Sequence, residues 1–301
     1  MSKSYTKGII IVVISAIMFG INPAFSLMLR SGGMDLPTSL LFRFIISAAF
    51  YFFLLVKRGE LPDLKIDGST IKALVISGFF FFTMALTLLA SYAYIPSGLS
   101  TVIHFSYPMI VMVFAVILGQ EKLNPYIIIS LVLALFAVAL ISVPDKNIVL
   151  DYRGIILSVI SAIAVSTYVL LLNQKELKAL NSFVIVFYIA LFFTLVIIAW
   201  IIIEAINGKT SFEIFGVISP TVLIGGFGFG VCCAVGVLLF AIGVKSIGGA
   251  VAGAVSTLEP LSAVLVGTLL FNEPLPSTFV IAGIAIIAST ILLSLKGESN
   301  P

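Results

Sequence analysis

The chain has 301 residues, 61% of them hydrophobic and only 10% charged, with a mean hydropathy of +1.27, whereas soluble domains run at roughly 45–50% apolar and 25% charged. A water-soluble globular fold is therefore excluded, and the chain is solvated by lipid. The net charge of +3 is small and no basic run interleaves with aromatics, which excludes nucleic acid as a partner and leaves the positive excess to be read as membrane topology.

A bilayer core of ~30 Å is crossed by about 20 apolar residues, and ten such stretches are predicted. The first, at 8–29, follows Lys3 and Lys7 but is too long for a cleaved signal and lacks a small-residue cleavage site, so it is a retained helix. Asn22-Pro23 interrupts it: Pro23 removes a backbone hydrogen bond and either exposes carbonyls that a substrate could use or forms a plain kink that shapes packing. The second, at 36–56, holds Arg43 with Ser39 and Ser47 one turn away on either side. The third spans 72–94. The fourth, at 97–118, carries Ser97, Ser100, Thr101, His104, Tyr107 and Pro108 along one side of a helix. A fifth follows at 126–143, a sixth at 154–173 with Tyr168, and a seventh at 182–206. The eighth, at 217–243, contains Cys232 and Cys233, whose adjacency on a helix points them apart and forms no disulfide framework. The ninth, at 249–270, places Gly249, Ala252, Gly253, Ser256, Glu259 and Pro260 on one face, and the tenth runs 277–295. Connectors are short, and even the one around Lys57 to Asp63 is too small for a soluble catalytic domain.

With ten spans both termini share a side. That side carries Lys3, Lys7, Lys57, Arg58, Lys65, Lys72, Lys122, Lys175, Lys178, Lys245 and Lys296, against Arg30, Lys146, Arg153 and Lys209 on the other. Eleven cations against four place the termini in the cytoplasm.

Two internal matches divide the chain. Gly8 to Ile17 recurs 146 positions later as Gly154 to Ile163 with two differences in ten. Pro108, Glu121 and Leu123 recur at an offset of 152 as Pro260, Glu273 and Leu275, each Pro lying thirteen residues ahead of its Glu. An odd number of spans per unit inserts the second copy upside down. The expected fold is an all-α polytopic membrane protein of ten transmembrane helices in two inverted five-helix repeats, 1–147 and 148–301, an arrangement suited to alternating access.

The sequence resembles the EamA-type carriers of the drug/metabolite transporter superfamily. The likeness is carried by Gly20-Ile21-Asn22, Leu41-Phe42-Arg43-Phe44, the block from Pro108 to Glu121, Leu258-Glu259-Pro260, Asn272-Glu273-Pro274-Leu275 and the helix around Gly283. Phe19 departs from the pattern, standing where many members carry Trp before the Gly. The resemblance covers nearly the whole chain and implies the same ten-helix fold and a transport function.

The candidate substrate-binding residues are Asn22, Arg43, His104, Tyr107, Tyr168, Ser256 and Glu259. Glu259 lies about ten residues along its span, where a charge costs ~2.5–3.5 kcal/mol unless it meets water, a partner or a proton. It is either a proton-coupling group or an acceptor for helix ends. Arg43 either binds a substrate carboxylate bidentately or neutralises Glu259 and backbone carbonyls. His104, the chain's only histidine, is the second proton-coupling candidate. Asn22 and Tyr168, at equivalent places in the two units, supply hydrogen-bonding groups to opposing walls. Pro23, Pro108 and Pro260 are candidate hinges. Gly226, Gly230, Gly249 and Gly253 read as close-packing positions, and Glu121 and Glu273 as helix-end solvation.

The expected function is secondary transport, in the export direction, of small polar metabolites such as amino acids or related organic compounds across a bacterial cytoplasmic membrane. The carrier is expected to be a monomer in lipid with protons as candidate coupling ion. No phosphate-gripping Gly-x-x-x-x-Gly-Lys-Ser/Thr loop occurs, so ATP does not drive it directly. No cofactor or metal site is expected, since one histidine and two helical cysteines do not make one. The rival readings are an intramembrane enzyme built on a Ser/His pair formed in space, and a metabolite-permeable channel.

Overall fold

Helix boundaries follow the capping residues in the connectors. The computed structural model describes residues 3–91, 94–95, 100, 103–119, 124–142, 151–208, 219–271 and 278–296, which are helix and turn without a strand. The helices are α1 (Lys3–Ser31), α2 (Leu36–Arg58), α3 (Gly68–Ser91), α4 (Tyr107–Ile117), α5 (Pro125–Ser142), α6 (Tyr152–Leu172), the short α7 (Lys175–Ala179), α8 (Ser182–Ile206), α9 (Pro220–Ile247), α10 (Gly249–Ser256), α11 (Leu258–Phe271) and α12 (Phe279–Lys296). Asp35 opens α2 by accepting from the Thr38 amide at 2.9 Å, and Gly59, at φ 69°, closes it in the left-handed region that glycine enters without strain. Ser219 and Pro220 set the start of α9, which runs four residues past the expected end at 243 and stops at Gly248.

Among the described residues, seven helical runs are long and apolar enough to cross a membrane, and 107–117, 125–140 and 280–289 form shorter apolar helices. Each overlaps one of the expected stretches, the last three as helices shorter than a full bilayer crossing. Large apolar side chains face outward, including Phe227, Ile117 and Leu269, while serines sit inside, the reverse of a soluble core.

Of the three prolines expected as hinges, Pro108 and Pro260 lie just past breaks in the helices. The chain turns at Phe105–Ser106 before Pro108 and at Thr257 before Pro260. A proline cannot bond the carbonyl four residues back, and its ring clashes with it. Those carbonyls belong to His104 and Ser256, the last helical residues ahead of each break. The span of α10 and α11 is thus two half-helices, and the one that ends in α4 is broken at the equivalent place. Pro23 behaves differently: α1 runs through Asn22 and Pro23 as one helix, so the expected interruption there does not occur.

Helix packing repeats across the two halves. α1 lies on α9 as α3 lies on α6, α1 on α11 as α4 on α6, and α2 on α9 as α3 on α8. The spans paired with their own counterparts are α2 with α8, α5 with α12 and α4 with α10. The correspondence reaches single atoms. A Cβ on Gly8 would lie 2.4 Å from Ile247, and one on Gly154 2.8 Å from Ile95. Ser15 donates to the Gly236 carbonyl at 2.7 Å, and Ser161 to the Met84 carbonyl at 3.1 Å. Gly20 abuts the Glu259 carbonyl, and Ser166 donates to the Tyr107 carbonyl at 3.1 Å. Each pair obeys the sequence offsets of 146 and 152.

The same contacts orient the helices. The start of α1 meets the end of α9, whereas the start of α6 meets the chain just beyond the end of α3. At the Gly8 end the Asn181 amide donates to Glu60 at 2.9 Å and Asp63 at 3.0 Å, Tyr188 donates to the Leu64 carbonyl, and Lys245 to the Leu180 carbonyl. The Asn181 and Tyr188 bonds tie the second half to the connector of the first at that end. The start of α6 lies at the other end, so α1 and α6 run in opposite directions.

Asp67 caps α3 by accepting from the Ser69 hydroxyl at 2.5 Å and the Thr70 amide at 3.1 Å. Those bonds hold its carboxyl down from the ordinary 3.8 to about 2. A lowered folded-state value adds stability that is complete above the unfolded value and lost as pH falls through the folded one. The melting-temperature difference between the parent and Asp67→Ala is accordingly expected to be constant above pH 4 and to vanish as pH falls toward 2.

Candidate functional site

The polar centre is built from α2 outward. Arg43, Ser47 and Tyr51 recur every four residues and so share one face, which meets α9. The Arg43 Nε–H donates to Cys233 Sγ at 2.8 Å, the Tyr51 hydroxyl donates to the Ala234 carbonyl at 2.7 Å, and the Ser47 hydroxyl reaches the Gly230 carbonyl at 3.0 Å. Glycine permits this approach: a Cβ at Gly226 would sit 2.8 Å from Phe42, and one at Gly230 2.5 Å from Ile46. The Arg43 guanidinium lies 5.5 Å from the Phe44 ring centre and 5.3 Å from that of Phe229, within cation–π range. Among the described residues its terminal nitrogens have no hydrogen-bond partner.

The second wall is the pair of helix breaks. Glu259 stands in the first turn of α11, where unpaired backbone amides and the helix dipole favour a negative charge. Arg43 and Tyr107 are within electrostatic reach of it. No ion pair joins it to Arg43, and no described residue bonds its carboxylate. Tyr107 meets Ser256 across the breaks at 2.5 Å. Because the Ser256 proton goes to the Gly253 carbonyl at 2.7 Å, Tyr107 is the donor in that contact. A Cβ on Gly253 would fall 2.9 Å from Pro108 and one on Gly249 2.6 Å from Val169, so all four glycines of the two expected motifs lie in close helix contacts.

Tyr168 closes the centre from α6. Its ring packs 4.9 Å from that of Phe81, it is within electrostatic reach of Cys233, and its buried hydroxyl has no partner among the described residues. The buried carbonyl oxygen of Asn22 on α1 is likewise unpartnered. Beneath them Phe44 stacks on Phe193 at 4.5 Å, and Phe81 meets Phe193 edge-on at 5.7 Å.

His104 is turned toward α6. Its Nδ1 lies 2.8 Å from the Ser161 hydroxyl, which donates to the Met84 carbonyl. One hydroxyl has one proton, so His104 donates from Nδ1. A Ser/His pair of the kind an intramembrane enzyme would need does form, with its serine hydroxyl also bonded to the Met84 carbonyl. A base must accept from the serine, and Ser161 is fully buried. Closer to the Gly154 end, Ser91, Ser100 and Ser158 form a buried hydroxyl cluster in which Ser100 touches both others and Ser158 donates to the Gly154 carbonyl.

The structure thus gathers Arg43, Tyr107, Ser256 and Glu259 at the breaks. Tyr168 sits beside Cys233, Asn22 is buried on α1 near Gly20, and the His104 ring lies 5.7 Å from that of Tyr107. Ser97, Thr101, Glu121 and Glu273 lie outside the described residues. Sequence reasoning passed over Tyr51, Cys233, Phe81 and Phe193. The four-residue spacing of Arg43, Ser47 and Tyr51 was a readable signal for the first, while the others needed the packing. A separate groove of about 250 Å³ between α3 and α8, lined by residues such as Leu74, Val75, Leu191 and Phe192, is apolar and lacks these groups.

No curated protein matches the sequence. A solved structure described only as "Crystal structure of protein" superposes with a TM-score of 0.77 over 97% of each chain at 14% identity, a likeness of fold. The model of the EamA-like transporter family matches twice, over residues 6–143 and 152–295. Together the two matches span almost the whole chain, and this membrane protein belongs to the EamA-like transporter family, whose members are transporters and not enzymes.

Proposed function

We propose that the protein is a secondary carrier of ten spans in two inverted repeats, moving small polar metabolites such as amino acids or related organic compounds out of the cell by alternating access. The observation that carries this reading is a set of groups with unspent bonding capacity around the helix breaks: the Arg43 guanidinium, the Glu259 carboxylate, the Tyr168 hydroxyl and the Asn22 carbonyl. Desolvated polar groups without partners are costly, and a polar ligand entering between the halves would satisfy them. Discontinuous helices meeting at the repeat interface are where such carriers bind substrate. Opposite directions of α1 and α6 and the paired contacts of the two halves support the inverted arrangement.

In this reading Arg43 takes an anionic group and Glu259 a cationic group or a proton, with His104 the second proton candidate. Tyr107, Ser256, Tyr168 and Asn22 complete the hydrogen bonding. Pro108 and Pro260 mark the points about which half-helices turn, and Pro23 softens α1. The end that gathers Lys57, Lys175, Lys178 and Lys245 faces the cytoplasm of a bacterial inner membrane, and the carrier works as a monomer.

The test is uptake and counterflow of labelled amino acids, nucleobases and organic acids in proteoliposomes, with and without an imposed pH gradient. Saturable counterflow is expected, and non-saturating flux without counterflow would instead indicate a channel. Glu259→Gln is expected to retain counterflow and lose at least ~10-fold of the gradient-driven rate, the order expected when one proton-transfer group is removed. An unchanged pH profile in that variant would remove Glu259 from coupling.

A further inference from the structure

The contacts of α1 with α9, α3 with α6, α1 with α11 and α4 with α6 have equivalents in both halves, down to single atoms. Among the described residues, the Tyr107–Ser256 contact between the two broken spans does not. Tyr107 bonds Ser256, Pro108 lies against Gly253 and Val111 against Gly249, all joining α4 to α10, on the Gly8 side of the breaks. The mates of these contacts would join the stretch ahead of the first break to α11, on the Gly154 side. At the offset of 152, Tyr107 corresponds to Glu259 and Ser256 to His104. The mate of the Tyr107–Ser256 bond is therefore a His104–Glu259 contact. It is not formed here: His104 is bonded to Ser161 and no described residue bonds the Glu259 carboxylate.

We propose that when the two halves exchange conformations the Tyr107–Ser256 bond opens and His104 and Glu259 come together, so that these two pairs are alternative latches, one for each end of the bundle. This inference rests on the alternating-access reading above. The residue chemistry agrees with the geometry. In each latch one half supplies a donor and the other an acceptor, phenol to hydroxyl here and imidazole to carboxylate in the exchanged state. The repeat is symmetric in its scaffold and asymmetric in these four side chains, so one state is held by a neutral contact and the other by an ionisable one. Among the described residues one hydrogen bond, to Ser161, holds the His104 imidazole and none holds the Glu259 carboxylate, so both are free to make the exchange.

The experiment uses the full chain in lipid nanodiscs after Cys232→Ala/Cys233→Ala, with two double variants, Tyr107→Cys/Ser256→Cys and His104→Cys/Glu259→Cys, oxidised to trap whichever pair meets. Both pairs are expected to form disulfides. The His104→Cys/Glu259→Cys disulfide is expected to speed amide hydrogen exchange in Val111–Ile117 by at least ~10-fold over the Tyr107→Cys/Ser256→Cys disulfide, as local opening of the Gly8 end requires. Val111→Cys alone reports opening independently through alkylation. Alkylation of Val111→Cys without a disulfide between positions 104 and 259 overturns the latch and leaves alternating access standing. No alkylation at all, with transport surviving the 107–256 disulfide, overturns alternating access itself. Should the cysteine-free background fail to fold, Glu259→His in the native chain gives a second reading: with His104 it is expected to bind Zn2+ at least ~10-fold more tightly than the His104→Ala/Glu259→His control. Equal binding by the two overturns the latch.

Discussion

Gly20→Val is expected to lower the melting temperature of the detergent-solubilised protein by roughly 5–10 °C, the size of shift that overpacking by a few kcal/mol produces. Even the first carbon of a side chain has no room at this position. A Cβ there would lie 2.3 Å from the Ser262 Cβ, 2.9 Å from the Glu259 carbonyl and 3.0 Å from the Ala263 amide. Two of those atoms are backbone and cannot rotate aside, so α1 must move away from α11. That displacement carries Glu259 with it, and transport should fall together with stability. Gly78 and Gly283 provide the control, since a Cβ would meet only Phe192 at 3.4 Å and Leu261 at 3.8 Å. Alanine at either is expected to be neutral or stabilising by up to ~1 kcal/mol, because it lowers the entropy cost of the helix. Thermal melts monitored by intrinsic fluorescence separate the two classes.

The second large effect is expected at Arg43. Arg43→Ala should reduce counterflow by about 100-fold, on the scale of losing a charged hydrogen bond to substrate worth about 3 kcal/mol. Arg43→Lys should reduce it by at least ~10-fold although the charge is kept, because an ammonium offers neither the planar fork nor a bond from Nε. The Nε–H that reaches Cys233 and the cation–π contacts with Phe44 and Phe229 hold the guanidinium in place. Lysine reproduces neither constraint. Counterflow rates in proteoliposomes, read beside the melting temperature of each variant, distinguish loss of recognition from loss of fold. Full activity in Arg43→Lys would show that a point charge suffices and would remove the bidentate role.

Much of the candidate site was visible in the chain because polar residues are expensive in lipid. Arg43, Glu259, Asn22 and Tyr168 stood out against apolar surroundings, and the fold buries Asn22 and Tyr168 and leaves Arg43 and Glu259 half-buried within electrostatic reach of each other. The stripe on the fourth span was only half informative. His104 and Tyr107 share a helical spacing, but the break at Phe105–Ser106 separates them, so one bonds Ser161 on α6 and the other Ser256 on α10. Helical periodicity assumes a continuous helix, and Pro108 ends that assumption. At Pro23 the error ran the other way. A proline marks a lost hydrogen bond, and packing of α1 against α9 and α11 keeps the helix continuous through it.

By itself the sequence determined that the chain lives in a membrane, where its long apolar stretches fall, and that its two halves are copies, because hydropathy and duplicated motifs are properties of residue order. Only the tertiary structure decided which polar groups meet and which are left without partners. Cys233 beneath Arg43 and Ser161 beneath His104 come from helices 190 and 57 residues away. Their proximity depends on how glycines and serines let backbones approach. That close approach is a property of helix pairs, and no single stretch of the chain encodes it.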